Sequence, residues 1–260
     1  MTKTTMSTVD KALTLLRYFS VQNPELGLSE LARLSGYDKT TTLRCMTALA
    51  RNGFVEQDAE SRKYRVGLAP VNLAQIREQS FPVRSVIARH LEGLSSSLGE
   101  TAHGSLVMGH GILTAGISFP ERALFVHIDP SETLPHHATA SGFAILAHAD
   151  PTELEQYWGQ AEFETFTDNT PVARAEIEPL LAECRAQGVA RAASTFEADV
   201  IGTAAPIFGQ LGPPIGTIAV AAVASRVTPD LQARIDTSLK TAAKAITNEL
   251  GGRPPSNPFP

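Results

Sequence analysis

The feature that most constrains this chain is a pair of short amphipathic segments separated by a glycine turn, with a charged hairpin close behind them. Leu31, Ala32 and Leu34 are spaced for the inner face of a short helix opened by a Ser29 cap. Ser35-Gly36-Tyr37 then turns the chain, Gly36 supplying a left-handed conformation that other residues resist. Asp38 caps a following helix that runs to about Asn52, with Leu43, Met46, Leu49 and Ala50 as its buried stripe. Ahead of both, Ser7 or Thr8 caps a first helix carrying Val9, Ala12, Leu13, Leu16 and Phe19 along one face. Asn23-Pro24 and Gly27 break the chain after it. Two short helices joined through a glycine-containing turn are helix-turn-helix geometry. Phe54 to Gln57 then alternates like a strand, Asp58 to Ser61 turns, and Arg62 to Val66 returns, a two-stranded wing with basic residues near its tip.

The first turn of the expected third helix carries the chemistry. It reads Lys39-Thr40-Thr41-Thr42, with Arg44 following. Three consecutive β-branched residues weaken a helix, but their hydroxyls bond phosphates and base edges and their methyls touch thymine methyls. Lys39 offers charge to a phosphate, and Arg44 a fork to a guanine or a phosphate. Ser29, Arg62 and Lys63 complete the expected DNA-contacting set. Arg33 and Arg51 read as ordinary solvated charges. Charge divides in the same sense: residues 1–80 carry 11 Lys/Arg against 8 Asp/Glu, and the remainder carries 11 against 19. A polyanion partner therefore belongs to the N-terminal part. The competing reading of these residues is a three-helix bundle with a hairpin that binds protein.

Four runs carry a family resemblance: Val9-Asp10-Lys11-Ala12-Leu13, Leu28-Ser29-Glu30-Leu31-Ala32, Thr40-Thr41-Thr42-Leu43-Arg44 and Tyr64-Arg65-Val66-Gly67-Leu68. They resemble the IclR family of bacterial transcription regulators, in which this pattern marks a winged helix-turn-helix whose third helix enters the major groove. The resemblance continues in Leu134-Pro135 with His137 to Ala147, in Ile201 to Phe208 and in Gly216 to Val220, so it covers about residues 7–250.

The expected fold class is α+β in two domains: a winged helix-turn-helix over 1–67, a linker helix over 68–82, and a second domain over 83–250 built on an antiparallel sheet. The tail 251–260, rich in Gly and Pro, is expected to be disordered. In the second domain the patterning predicts a helix from Val83 to Leu98 and a hairpin of strands 101–107 and 112–119 turning at Gly109-His110-Gly111. It then predicts a strand near 124–128, helices over 140–149 and 152–158, and a helix opened by Pro171. Strands near 189–196, 201–208 and 215–223 and a last helix from Pro229 to Leu250 complete it. By the resemblance this domain is GAF-like and binds an effector.

Ala140-Ser141-Gly142, small residues at a loop-to-helix junction, present amide groups that attract a carboxylate; helix packing that needs small residues explains them equally well. Carried over from the family, backbone at Ala140 and Ser141 meets the ligand, Ala123, Val126, Leu134 and Val200 wall the pocket, and Ala192, Gly202, Ala219 and Ala221 complete it. Members of the family that bind small acids carry Asp, Cys and Ser at those last four positions, where this chain has only Ala and Gly. Fewer hydrogen bonds and more room imply a bulkier or more apolar effector, an aromatic or extended acid.

No cofactor or metal is expected. Five histidines, His103, His110, His127, His136 and His137, lie within thirty-five residues but lack ligand spacing. Of these, His103 or His127 is placed to bond an effector carboxylate. No nucleophile elbow, phosphate loop or dinucleotide fingerprint argues for an enzyme. Cys45 and Cys184 stand far apart, and no secretory signal or run of about twenty apolar residues is read. The expected location is cytoplasmic, and the expected partners are a palindromic DNA operator, a small organic acid and further copies of the chain, as a homodimer or a dimer of dimers. A DNA-binding oligomer that senses no ligand is the alternative.

Overall fold

Ser7 opens the first helix of the computed structural model, which describes residues 7–109, 111–160, 163–210 and 212–254. In α1 (Thr8–Leu16) the Ser7 hydroxyl accepts from Asp10 N, and Asp10 returns a bond to Ser7 N at 2.9 Å. Its inner face centres on Leu15, with Ala12, Leu16 and Phe19 half-buried against it; Val9 and Leu13, expected inside, are exposed. The cap of α2 (Leu28–Ser35) is Gly27, not Ser29, and it makes no side-chain bond. Leu31 and Ala32 are buried as expected, whereas Leu34 is exposed. Gly36, at φ +70°, closes the helix. Asp38 caps α3 (Lys39–Arg51), accepting from Thr41 N at 2.8 Å, and these bonds hold its carboxyl below the usual range. The buried stripe of α3 is Thr42, Cys45, Met46 and Leu49; Leu43 is exposed.

A three-stranded antiparallel sheet follows, in the order β1 (Glu25–Leu26), β3 (Tyr64–Val66), β2 (Val55–Gln57). Its edge strand β1 replaces the chain break expected at Asn23 to Gly27, because Leu26 pairs with Tyr64 and both side chains are buried. Gly53 and Gly67 allow the wing to leave the helices: a Cβ on Gly67 would stand 2.3 Å from Gly53 O. After the wing comes α4 (Ala69–Ser80), opened by Pro70. It buries no residue in this unit, and Leu68, Val71, Leu73 and Ile76 are exposed along it. The chain divides into two compact units between Pro82 and Val83.

The second unit is built on a six-stranded antiparallel sheet. Its order is β6 (Thr133–Leu134), β5 (Gly111–Ser118), β4 (Thr101–Met108), β9 (Pro214–Val223), β8 (Val200–Phe208), β7 (Ala190–Ala193). Helices α5 (Val83–Leu98) and α9 (Pro229–Glu249) pack one face through Ile87, Leu91, Ile218, Ile235 and Leu239. Helices α6 (Ala140–Leu146) and α8 (Arg174–Gln187) cover the other through Phe143, Leu181, Cys184 and Ala219, and α7 (Pro151–Gln160) connects them.

Four expectations fail here. Residues 124–128 form no strand, since Thr101 Oγ1 donates to the Val126 carbonyl at 2.6 Å and β6 takes the edge of β5. The helix expected to reach Ala149 ends at Leu146. The helix expected from Pro171 starts at Arg174, because the Glu176 carboxylate accepts from Val172 N and Ala173 N and stops the chain outside the helix. The start of the expected tail is tied down by its backbone: Gly252 is buried, with its N–H on Thr247 O at 2.8 Å, and Gly251 N donates to Asn248 O at 3.0 Å, while Gly251, Arg253 and Pro254 are exposed. The rest of the expected tail, 255–260, lies outside the described residues, as does His110.

Candidate nucleic-acid interface and effector cavity

The outward stripe of α3 is set by helical periodicity. Thr40, Leu43, Arg44, Thr47 and Arg51 are exposed on it, at the spacing that puts side chains over one another. Thr42 points the other way; it is fully buried and its hydroxyl donates to Asp38 O at 2.9 Å. Thr41 is half-buried and donates to the Asp38 carboxylate at 2.7 Å. Of the three threonines, only Thr40 is therefore turned fully outward, and Thr42 does not belong to the interface. Leu43 and Thr47 take the places that sequence reasoning missed; counting helical turns from Thr40, at i+3 and i+7, finds both.

Lys39 and Arg44 are exposed, and no carboxylate pairs with either among the described residues. Ser29 is exposed in the first turn of α2. At the wing tip the Asp58 carboxylate accepts from Glu60 N, Ser61 N and the Ser61 hydroxyl, which fixes the turn and holds its own carboxyl low. Arg62 follows in the left-handed region, at φ +58°, with its carbonyl tied to Gln57 Nε2 at 2.9 Å. Arg62 and Lys63 are exposed there, while Arg65 is paired with Glu56 at 3.1 Å.

In the second unit, antiparallel register builds a floor of small residues beneath α6. Ala221, Gly202 and Ala192 stand directly opposite one another across β9, β8 and β7, and His103 stands opposite Ala219 across β4 and β9. Side chains two residues apart share a face, so all five look toward α6. Above them is a cavity of about 100 Å³ that opens to solvent. Val126, Leu134, Ala140, Ser141, Ala192, Val200, Gly202, Ala219 and Ala221 all line it. Ala123 does not; it is exposed in the loop before residues 124–128. His103, His127, Glu132, Thr195, Phe196 and Glu197 line it as well; the two histidines are the ones the sequence offered for an effector carboxylate, and Glu132, Thr195, Phe196 and Glu197 are additions.

Small floor residues have not made the cavity large. A Cβ on Gly202 would touch the Ala140 Cβ at 3.3 Å, so α6 has settled onto the space they leave. Gly142 lets it do so, since a Cβ there would stand 2.1 Å from the His136 carbonyl oxygen. Thr139 caps α6 through Gly142 N at 3.1 Å, which leaves the amides of Ala140 and Ser141 as the unclaimed donors of the first turn. Ser141 Oγ accepts from Thr217 at 2.9 Å. Behind the 124–128 segment, the buried Glu100 carboxylate is gripped by Arg226 at 2.6 and 2.9 Å, and Arg226 also holds the Leu124 carbonyl.

The histidines disperse. His103 is buried, its Nδ1 has no partner among the described residues, and burial drives its pKa down to about 4, so at neutral pH it is uncharged. His127, exposed, also lines the cavity and stacks on Phe119, with ring centroids 5.5 Å apart. His136 meets the edge of Tyr157, and His137 Nε2 bonds Glu164 O at 2.9 Å. No three His, Cys, Asp or Glu side chains come together as a metal site among the described residues. No described helix is long and apolar enough to cross a membrane.

One chain thus carries a helix-turn-helix whose outward helix bears exposed cations and, in a separate unit, a sheet with a cavity above it. Comparison with known proteins gives the family. The model of the IclR helix-turn-helix domain matches residues 8–59, and that of the bacterial transcriptional regulator IclR C-terminal domain matches residues 77–248. The chain belongs to the IclR family and is a DNA-binding transcriptional regulator. It is 28% identical to the HTH-type transcriptional regulator XynR of Escherichia coli K12 over 95% of this chain and 98% of that one. A crystal structure of an IclR transcriptional regulator from Silicibacter sp. TM1040 superposes with a TM-score of 0.91 at 40% identity, covering 98% of this chain and all of that one. An IclR homologue from Microbacterium hydrocarbonoxydans, solved with 4-hydroxybenzoate, shares the fold at a TM-score of 0.78 and 22% identity, over 94% of this chain and 99% of that one.

Proposed function

We propose that the chain represses transcription from a palindromic operator in the cytoplasm and releases or repositions on it when a small organic acid enters the cavity of the second unit. Lys39, Thr40, Leu43, Arg44 and Thr47 of α3 face the major groove, with Ser29 on the backbone and Arg62 and Lys63 of the wing on flanking phosphates. One such helix reads too few base pairs to select a genomic site, so two copies act together. The exposed apolar side chains of α4 (Leu68, Val71, Leu73 and Ile76) support pairing of copies there, as a dimer or a dimer of dimers.

The observation that carries the effector reading is His103. An unpartnered imidazole nitrogen, buried, costs free energy unless something bonds it, and His103 looks into the cavity beside Ser141 and Ala219. The structure of the Microbacterium homologue with 4-hydroxybenzoate supports an acid of that general kind. Size narrows it further. An enclosed apolar cavity of about 150 Å³ takes a benzene ring, so a ring-sized acid here keeps one end in the open mouth. For the effector to regulate, it must bind one arrangement of the paired reading helices better than another.

Ala219→Phe tests this reading. The added ring fills the cavity from its floor, and the expected result is normal operator binding that no longer responds to metabolite, with a melting temperature lowered by overpacking but a folded second unit. A variant that still responds would place the ligand elsewhere.

A further inference from the structure

The cavity is polarised from back to mouth. At the back, the His103 ring is buried and neutral, and Ser141, having accepted from Thr217, keeps its own proton to donate. At the mouth stand two exposed carboxylates, Glu132 and Glu197. They are close enough to act on each other: with partial burial, and with Asp129 nearby, Glu197 pushes the Glu132 carboxyl above its ordinary value. Among the described lining residues there is no Lys or Arg. An anionic group can therefore be satisfied at the back, by hydrogen bonds. At the mouth it would meet two like charges, with the exposed imidazole of His127 as the one basic side chain among the described lining residues there. A hydroxyl or amino group at the mouth meets the opposite situation, two charged acceptors for its proton.

This inference rests on the effector reading above and deepens it. We propose that Glu132 and Glu197 are specificity-determining residues, which select acids whose mouth-facing end carries a hydroxyl or amino donor and reject dicarboxylates.

The test uses the full chain and two matched sets of probes. One set is benzoate, 4-hydroxybenzoate, 4-aminobenzoate and terephthalate; the other is propionate, 3-hydroxypropionate, 3-aminopropionate and succinate. Each is titrated calorimetrically into the parent protein and into the double variant Glu132→Gln/Glu197→Gln. In whichever set binds, the hydroxy or amino member is expected to bind about tenfold or more tightly than the unsubstituted acid, the size of one hydrogen bond to a charged acceptor. The dicarboxylate is expected to bind weakest to the parent and to gain most in the double variant, whose melting temperature should match the parent's because both side chains are exposed. If the parent takes the dicarboxylate or the unsubstituted acid as tightly as the donor-bearing one, or if the double variant keeps the parent's order, the proposal is overturned and the effector reading stands. Absence of binding by every probe to both proteins would overturn the acid-effector reading itself, and this proposal with it.

Discussion

Thr42 and Thr47 exchange the roles that their neighbours in sequence suggest. Thr42 sits in a polar run yet is fully buried, while Thr47, next to Met46, faces outward. Burial of Thr42 costs little because its hydroxyl returns to the Asp38 carbonyl. Arg44 is the residue on which the DNA reading is most exposed to test. Arg44→Ala is expected to weaken operator binding by about 1–3 kcal/mol, the scale of one bidentate contact, while leaving the melting temperature nearly unchanged, because the side chain is exposed and pairs with no carboxylate among the described residues. Fluorescence anisotropy on an operator duplex reads the first, and thermal denaturation the second; unchanged affinity would remove Arg44 from the interface. His103 makes a separate prediction in pH. Its pKa falls from 6.5 unfolded to about 4 folded, so the unfolded chain binds its proton first. The stabilising contribution is whole above about pH 6.5 and declines as pH falls toward 4. It amounts to something on the order of 3 kcal/mol. Melting temperature followed over that window should drop less steeply in His103→Gln than in the parent; parallel curves would show that His103 does not titrate as its burial implies.

At the scale of elements, helix ends were legible where a side chain or a glycine writes them. Ser7, Asp38 and Thr228 cap α1, α3 and α9 through their own oxygens, and Gly36 and Gly188 end α2 and α8 at positive φ. What was not legible depends on partners distant in sequence. The two-residue strands β1 and β6 are too short to show a period, and exist because Leu26 meets Tyr64 and Leu134 meets Ile112. The cavity was half legible. Its walls followed from the family resemblance, and so did the row of small floor residues, but the rim residues Glu132, Phe196 and Glu197 lie in irregular segments with no local signature. Nor did the sequence show that α6 would move into the space the small residues leave, which kept the cavity small. Gly142 is what permits that approach. Gly142→Ala is expected to destabilise the second unit by about 1–3 kcal/mol through overpacking against the backbone of His136, measured by chemical denaturation. A neutral effect would show that α6 is free to shift.

For the whole molecule, charge and exposed apolar surface divide the labour. The reading unit carries a small positive excess and the second unit most of the acid. A polyanion is thereby drawn to one end of the chain and repelled from the other. Helix α4 leaves apolar side chains uncovered in the single chain, the surface on which the proposed pairing of copies rests. The central claim is that the α3 stripe reads DNA under the control of the cavity. It is tested most directly by measuring affinity for a duplex taken from the region upstream of the protein's own gene against a scrambled duplex of equal length. The comparison is made at moderate salt, with and without the acid that titrates into the cavity. The account predicts clear preference for the native duplex, a preference that the acid alters in the parent but not in Ala219→Phe. Equal affinity for both duplexes under every condition would contradict it.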